Sequence, residues 1–252
     1  MNIEIFGESE RVREAARILS DEECKFDSIK LLPVPSSRDK IHITGTEIQL
    51  NEFQKGLCQD DFVVGYALPY EFRECLDLAG IKYYDASLDE DFLLENAYVT
   101  AIGTLAYILG KDNRIPRDMK FGVIGYGRIG RALSEILLFL GARLKIFSSK
   151  KLTRIELGFF GIESNEIELS DFEEPKLQGL DFVLNTAPTN LSYLFPEKCV
   201  PDGMRVIDLA SGDSFPGVFG IEYLPSLPDR MFPKSAGKIY ARRALSQIRK
   251  GK

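Results

Sequence analysis

Residues able to do chemistry gather in the second half of the chain, where the run from Lys120 to Arg131 (KFGVIGYGRIGR) sets Gly125, Gly127 and Gly130 in a GxGxxG spacing. An apolar strand precedes the run, and a helix with Ala132, Leu133, Ile136, Leu137 and Leu140 on one face follows it. In that context each glycine meets a separate need, Gly125 for the tight turn, Gly127 for close approach of a pyrophosphate, and Gly130 for contact between helix and strand. Backbone amides where the helix begins, with Arg128 and Ile129 among the contacting residues, and the positive end of the helix dipole then attract the anion. The competing reading is a glycine turn kept for packing alone.

The following strand, ending near Phe147, points to the adenine ribose, where an NAD site usually offers an acid to the 2′-hydroxyl. This chain offers Ser148, Ser149, Lys150 and Lys151, then Arg154. Hydroxyls and cations there hold a 2′-phosphate by charge-assisted hydrogen bonds, which favours NADP(H) over NAD(H), with NAD still possible. A solvated basic loop is the bland alternative. The turns Asn185-Thr186-Ala187-Pro188-Thr189 and Asp208-Leu209-Ala210-Ser211-Gly212 follow later strands and face the nicotinamide in a doubly wound sheet, or are ordinary loops. The single histidine, His42, precedes all of this. That disfavours the chemistry of D-2-hydroxyacid dehydrogenases, which share the turn but use a histidine late in the dinucleotide domain; His42 reads as a structural or surface residue. Cys24, Cys58, Cys75 and Cys199 are scattered, at no metal-ligand spacing, and read as reduced thiols. No metal is expected.

These residues need elements to hold them. Strand-like runs alternate with helical ones throughout, which predicts an α/β protein of two Rossmann-like, doubly wound parallel-sheet domains with a cleft between them. Strands are expected at residues 2–6, 28–32, 62–65, 82–84, 120–124, 143–147, 181–185 and 205–209, and helices at 10–19, 92–109, 128–140 and 235–249. Pro33 to Ser37 is a breaker cluster after a strand, and Lys111 to Pro116 reads as a domain seam. The expected division is a substrate domain at 1–95, a dinucleotide domain at 96–233, and a C-terminal helix at 234–252 packing back on the first.

The chain of 252 residues is 44% hydrophobic and 28% charged, enough for one large or two modest cores. Its formal charge of −6 argues against nucleic acid as a partner. No secretory leader pattern opens it, and its longest apolar run, Ile136 to Leu140, is far short of the ~20 residues that span a bilayer. A cytoplasmic, membrane-free protein is expected.

The chain also resembles the A subunit of dipicolinate synthase. The likeness runs through Ile5-Phe6-Gly7 with Arg11, Leu32-Pro33-Val34, Asn96 with Thr100 and Gly103-Thr104, the Gly125 turn, Asn185-Thr186, Asp208 to Ser211, and Pro233 to Gly237. It implies a nicotinamide-dependent oxidation of a cyclic dicarboxylate, a flavoprotein-like B subunit as partner, and a homo-oligomer. Lys234, with Ser235 and Thr100, becomes the candidate catalytic set, Lys234 holding a substrate carboxylate; Arg38 and Arg230 are weaker cations for that role. Two departures stand out. The N-terminal half is shorter than in the family, and Ile102 occupies the place of an acid in its Thr-Val-Glu-Gly motif.

Overall fold

A computed structural model describes residues 2–7, 9–22, 25–32, 53, 55–167 and 177–250. Cys24, the Pro33 to Ser37 breaker, Arg38 and His42 lie outside the described residues. The chain divides into two α/β units, Met1–Val99 with Ser226–Lys252, and Thr100–Pro225.

In the first unit, strands β1 (Asn2–Ile5), β2 (Ser28–Leu31), β3 (Asp61–Gly65) and β4 (Lys82–Asp85) form a parallel sheet in the order β1-β2-β3-β4. Both β2 and β3 are buried along their whole length, with their polar residues paired: Lys30 and the Ser28 hydroxyl both reach Asp61. Helix α1 (Glu10–Ser20) is started by Ser9, whose side chain accepts from the Val12 N–H. Its stripe Val12, Ala15, Ala16 and Leu19 packs over Ile29, Leu31, Phe62 and Val64. Helix α2 (Tyr70–Ala79) sets Phe72 and Leu76 against Val63 and Leu32, on the opposite face. The steps β1 to β2 and β3 to β4 run in the same direction across the sheet, yet their helices cover opposite faces. The two connections therefore have opposite hand, and one of them breaks the right-handed rule for parallel strands.

Helix α3 (Glu90–Leu109) passes from the first unit into the second. It is long and apolar enough by length and composition to cross a membrane, a property that the short run Ile136 to Leu140 does not reveal. Its Phe92, Ala97, Val99, Ala101 and Ile108 are buried in the protein.

The second unit is a six-stranded parallel sheet: β5 (Lys120–Ile124), β6 (Arg143–Phe147), β7 (Glu163–Asn165), β8 (Phe182–Asn185), β9 (Arg205–Asp208) and β10 (Ile221–Tyr223), in the order β10-β9-β8-β5-β6-β7. The chain moves outward from β5 to β7, returns to β8 beside β5, and moves outward again to β10. Strand order thus reverses between β5 and β8, where open sheets of this kind leave a crevice at the carboxyl ends. Helix α4 (Arg128–Phe139) follows β5, and α5 (Lys151–Phe159) follows β6. The Lys111 to Pro116 seam lies inside this unit, where Arg114 pairs with Asp112 and Asp181. The contact boundaries fall at Val99/Thr100 and Pro225/Ser226, rather than at 95/96 and 233/234.

After β10, a short helix α6 (Leu227–Met231) leads into α7 (Pro233–Lys250), which belongs to the first unit and lies along α1. The fit is close, because a Cβ on Gly237 would stand 2.6 Å from the Arg11 carbonyl oxygen. Ala236, Tyr240, Ala241, Ala244 and Ile248 complete the buried face of α7.

Candidate functional site

The glycine corner sits at the reversal between β5 and β8. Gly125 has φ 87°, the left-handed region, and its N–H donates to the Phe147 carbonyl at 2.8 Å. A side chain at Gly125 is excluded twice over, because a Cβ would also lie 2.7 Å from Thr186 Oγ1. Thr186 holds the corner from the β8 side, its N–H donating to the Ile124 carbonyl at 2.8 Å and its hydroxyl to the same oxygen at 2.9 Å. Gly130 is buried, and a Cβ there would stand 2.1 Å from the Gly125 carbonyl oxygen. Gly127 differs: a Cβ would meet nothing within 4 Å. Neither backbone conformation nor packing demands glycine there, and the backbone of Gly127 is open to approach from outside the chain. No side chain caps the first turn of α4, and that turn carries no acid. Uncapped amides beside open space are what a pyrophosphate needs.

At the end of β6, Ser148 is buried while Ser149, Lys150 and Lys151 are exposed. The basic segment leads into α5, with Lys150 in the capping position and no side chain satisfying its amides. Arg154 is committed inside the protein: it donates to the Ser148 carbonyl at 2.7 Å and pairs with Glu166 at 2.7 Å. That leaves Ser149, Lys150 and Lys151, with the helix dipole, as the exposed groups here that suit an anion.

Beyond β8 and β9, Asn185 and Asp208 are register partners with buried side chains that face each other. Asn185 Nδ2 donates to Asp208 Oδ1 at 2.8 Å and to the Ala187 carbonyl at 3.1 Å, while its Oδ1 accepts from the Ala187 N–H at 3.0 Å. Asp208 Oδ1 also accepts from the Ala210 N–H at 3.0 Å. Asn185 and Asp208 therefore shape the two turns from behind, and Thr186, Ala187, Pro188, Ala210 and Ser211 present the outer surface. The remaining Asp208 oxygen, Oδ2, is buried without a hydrogen bond, with Ser214 the polar residue facing the carboxyl. Burial raises the Asp208 pKa above the ordinary carboxylate range, against the hydrogen bonds from Ala210 and Asn185.

The candidate catalytic set is not gathered within one unit. Thr100 is a buried residue of the second unit on α3, where its carbonyl accepts from the Thr104 hydroxyl at 2.9 Å. Lys234 and Ser235 lie on the first turn of α7 in the first unit, lining a shallow groove with Glu14, Arg17, Ile18 and Lys238. The Pro233 to Gly237 block thus has a packing explanation, the contact of Ala236 and Gly237 with α1, independent of any chemistry at Lys234. Arg230 is on α6 and not part of that groove.

Sequence reasoning missed a second polar cluster. Arg11, on the first turn of α1, is 2% exposed. Its Nη2 donates to Asn96 Oδ1 at 3.2 Å, its Nε makes no hydrogen bond, and burial lowers its pKa even with Asp229 opposing. Asp229, from α6, accepts from the Ser9 hydroxyl at 2.9 Å and from the Arg11 N–H at 3.3 Å, and stands 3.8 Å from Arg11 Nε. A charged residue on the apolar face of α1 was the available signal.

No family model matches the chain, and neither does any curated protein. Among solved structures, the A subunit of dipicolinate synthase from Bacillus halodurans superposes with a TM-score of 0.76 at 21% identity, covering 98% of this chain and 97% of that one. The dipicolinate synthase A chain from Bacillus subtilis gives 0.74 at 18% identity, covering 100% and 98%. A transhydrogenase from Sinorhizobium meliloti gives 0.63 at 15% identity, covering 99% and 94%. Across its whole length, then, the chain has the two-unit Rossmann-type fold found in the dipicolinate synthase A subunits.

Proposed function

We propose that the chain is a cytoplasmic NADP(H)-dependent oxidoreductase of the dipicolinate synthase A type, oxidising a cyclic dicarboxylate together with a second, flavoprotein-like protein. The observation that carries the cofactor part is the open cradle at Gly127, with uncapped α4 amides at the strand reversal. Arg128, Ile129 and Gly130 offer backbone N–H groups to the pyrophosphate, and Ser149, Lys150 and Lys151 offer hydroxyl and charge to the 2′-phosphate. Bound NADP⁺ supplies a hydride acceptor, and loss of hydride from a ring on its way to aromaticity brings its own driving force. Strong basic help from the protein is then less necessary, consistent with a single histidine at position 42. Lys234 and Ser235 are the residues proposed to hold a substrate carboxylate, with Thr100 completing the set.

Homo-oligomerisation belongs to the same reading. Helix α5 buries Leu157 but leaves Leu152, Ile155 and Phe159 exposed at helical spacing, and Phe160 beyond them is 80% exposed. These four offer roughly 600 Å² of apolar surface, a large part of the ~800 Å² per partner in a standard interface. A second copy of the chain is the proposed occupant.

Isothermal calorimetry with NADPH and NADH tests the cofactor; absorbance of reduced cofactor, with and without the candidate partner, tests turnover of the dihydrodipicolinate-pathway substrate. A second reading, a non-catalytic NADP(H)-binding protein, is favoured by Ile102, which gives α3 no acid where the resembling family has one. Binding without turnover in the presence of the partner would select it.

A further inference from the structure

The polar cluster at the start of α1 has the make-up of an anion seat that is already filled. Three donors converge on one point: the Ser9 hydroxyl, the Arg11 N–H and Arg11 Nε. The guanidinium is almost wholly buried, and its Nε, 3.8 Å from that point, makes no hydrogen bond. A buried cation with an unused N–H asks for a closer anion than the one present, because 3.8 Å is beyond hydrogen-bonding range. The anion present is Asp229 Oδ1. It comes from a five-residue helix whose preceding residue, Ser226, has φ 54°, the left-handed region that favours glycine. Solvent reaches the anion's side of the pair, since the Asp229 side chain keeps 32% of its exposure while that of Arg11 keeps 3%.

We propose that Ser9, Arg11 and the N-terminus of α1 form a carboxylate-binding site, and that in this structure the chain's own Asp229 stands in for the ligand. An incoming carboxylate takes the seat by displacing Asp229, exchanging one set of hydrogen bonds for another with no covalent step. A tethered carboxylate competes at an effective concentration in the millimolar range or above, so the parent protein discriminates against weak free carboxylates. The identity of the external carboxylate as part of a cyclic dicarboxylate rests on the reading under Proposed function; the seat itself does not.

The test is chemical rescue. Thermal melts of the full chain are recorded in sodium acetate and in sodium chloride of equal ionic strength, for the parent, Asp229→Ala and Asp229→Asn. Asp229→Ala empties the seat and leaves Arg11 unpaired, so it melts lower in chloride, and acetate at about ten times its dissociation constant raises the midpoint by about 3–5 °C. The parent and Asp229→Asn, whose amide oxygen still fills the seat, shift by no more than about 1 °C on the same scale. Pyridine-2,6-dicarboxylate, titrated as a second probe, binds Asp229→Ala at least about tenfold more tightly than the parent. Should Asp229→Ala not fold in chloride, recovery of its circular dichroism by refolding in acetate reads the same way. Equal midpoints in the two salts, an acetate response in Asp229→Asn as large as in Asp229→Ala, or failure to refold in both salts overturns the proposal. None of these readouts involves nucleotide or turnover, so calorimetry with NADPH on the same preparations reports separately on the cofactor reading.

Discussion

Replacing Gly127 and Gly130 one at a time by alanine separates a glycine kept for a ligand from a glycine kept for packing. At Gly130 the new methyl would sit 2.1 Å from the Gly125 carbonyl oxygen and 3.0 Å from Thr186 Oγ1. Neither is a flexible side-chain end that can swing away, so α4 must lift off the strand. Overpacking of this kind costs about 1–3 kcal/mol and sometimes more, which for a chain of this size lowers the melting midpoint by roughly 3–10 °C. At Gly127 the methyl meets nothing, and φ −81° with ψ −161° is extended backbone open to alanine. Removing a glycine there reduces the entropy of the unfolded chain, a gain of about 0.4–1 kcal/mol, so the midpoint holds or rises slightly. The same methyl stands where a phosphate oxygen would accept an amide hydrogen bond. Losing one charge-assisted bond is worth about 1.5–3 kcal/mol, tenfold or more in affinity. Differential scanning fluorimetry and calorimetry with NADPH on both variants give the answer. A Gly127→Ala protein as stable as the parent that binds NADPH with parental affinity would show that no phosphate approaches this backbone, and the placement of the cofactor at this corner would fall.

Lys150→Glu reverses a charge at the start of α5 and is expected to weaken NADPH about tenfold more than NADH in paired titrations; equal losses would move the 2′-phosphate elsewhere. Asp208→Asn tests the buried carboxyl. Because its folded pKa is raised, the proton it carries contributes stability below the ordinary carboxylate range that is lost as pH rises through the folded value. The melting midpoint of Asp208→Asn minus that of the parent should therefore grow as pH rises from about 4 towards neutrality; a gap that narrows would mean the carboxylate is stabilised in place. Gly237→Val should lower the midpoint by several degrees, since even its Cβ would stand 2.6 Å from the Arg11 carbonyl oxygen, and leave NADPH affinity in the second unit unchanged. Phe159→Asp should convert an oligomer to a monomer in light scattering; an unchanged mass in solution would remove α5 from the interface.

The parts legible in the sequence are those whose pattern and chemistry agree. The amphipathic helices α1 and α4 are legible through their periodicity, and β3, β5, β8 and β9 through their short apolar segments. Elements without such a signal escaped: β7 is the polar triplet Glu163–Asn165, and α2 opens after Pro69 with no side-chain cap. Helix α5 was hidden for a different reason. Its exposed leucine, isoleucine and phenylalanine give no inward stripe, so the basic residues at its start dominated the reading. At the site, the glycines were legible because each answers a local steric demand. Asn185 and Asp208 were found but their direction was not, since only strand register decides that they face each other. Arg11 and Asp229 stand 218 residues apart in sequence and meet only through the packing of α1 against the segment before α7.

The route by which α7 reaches α1 has a consequence for biosynthesis. Tyr240, Ala241, Ala244 and Ile248 belong to the same core as Val12, Leu19 and Ile29, so one wall of the first unit is synthesised only after the whole second unit. Until then α1 packs on the sheet alone and the side of that core that α7 covers stays open, while the whole second unit, one continuous stretch of chain, is already complete. The first unit is accordingly the one most in need of chaperone cover during synthesis, and a chain cut before Pro233 would leave that core open.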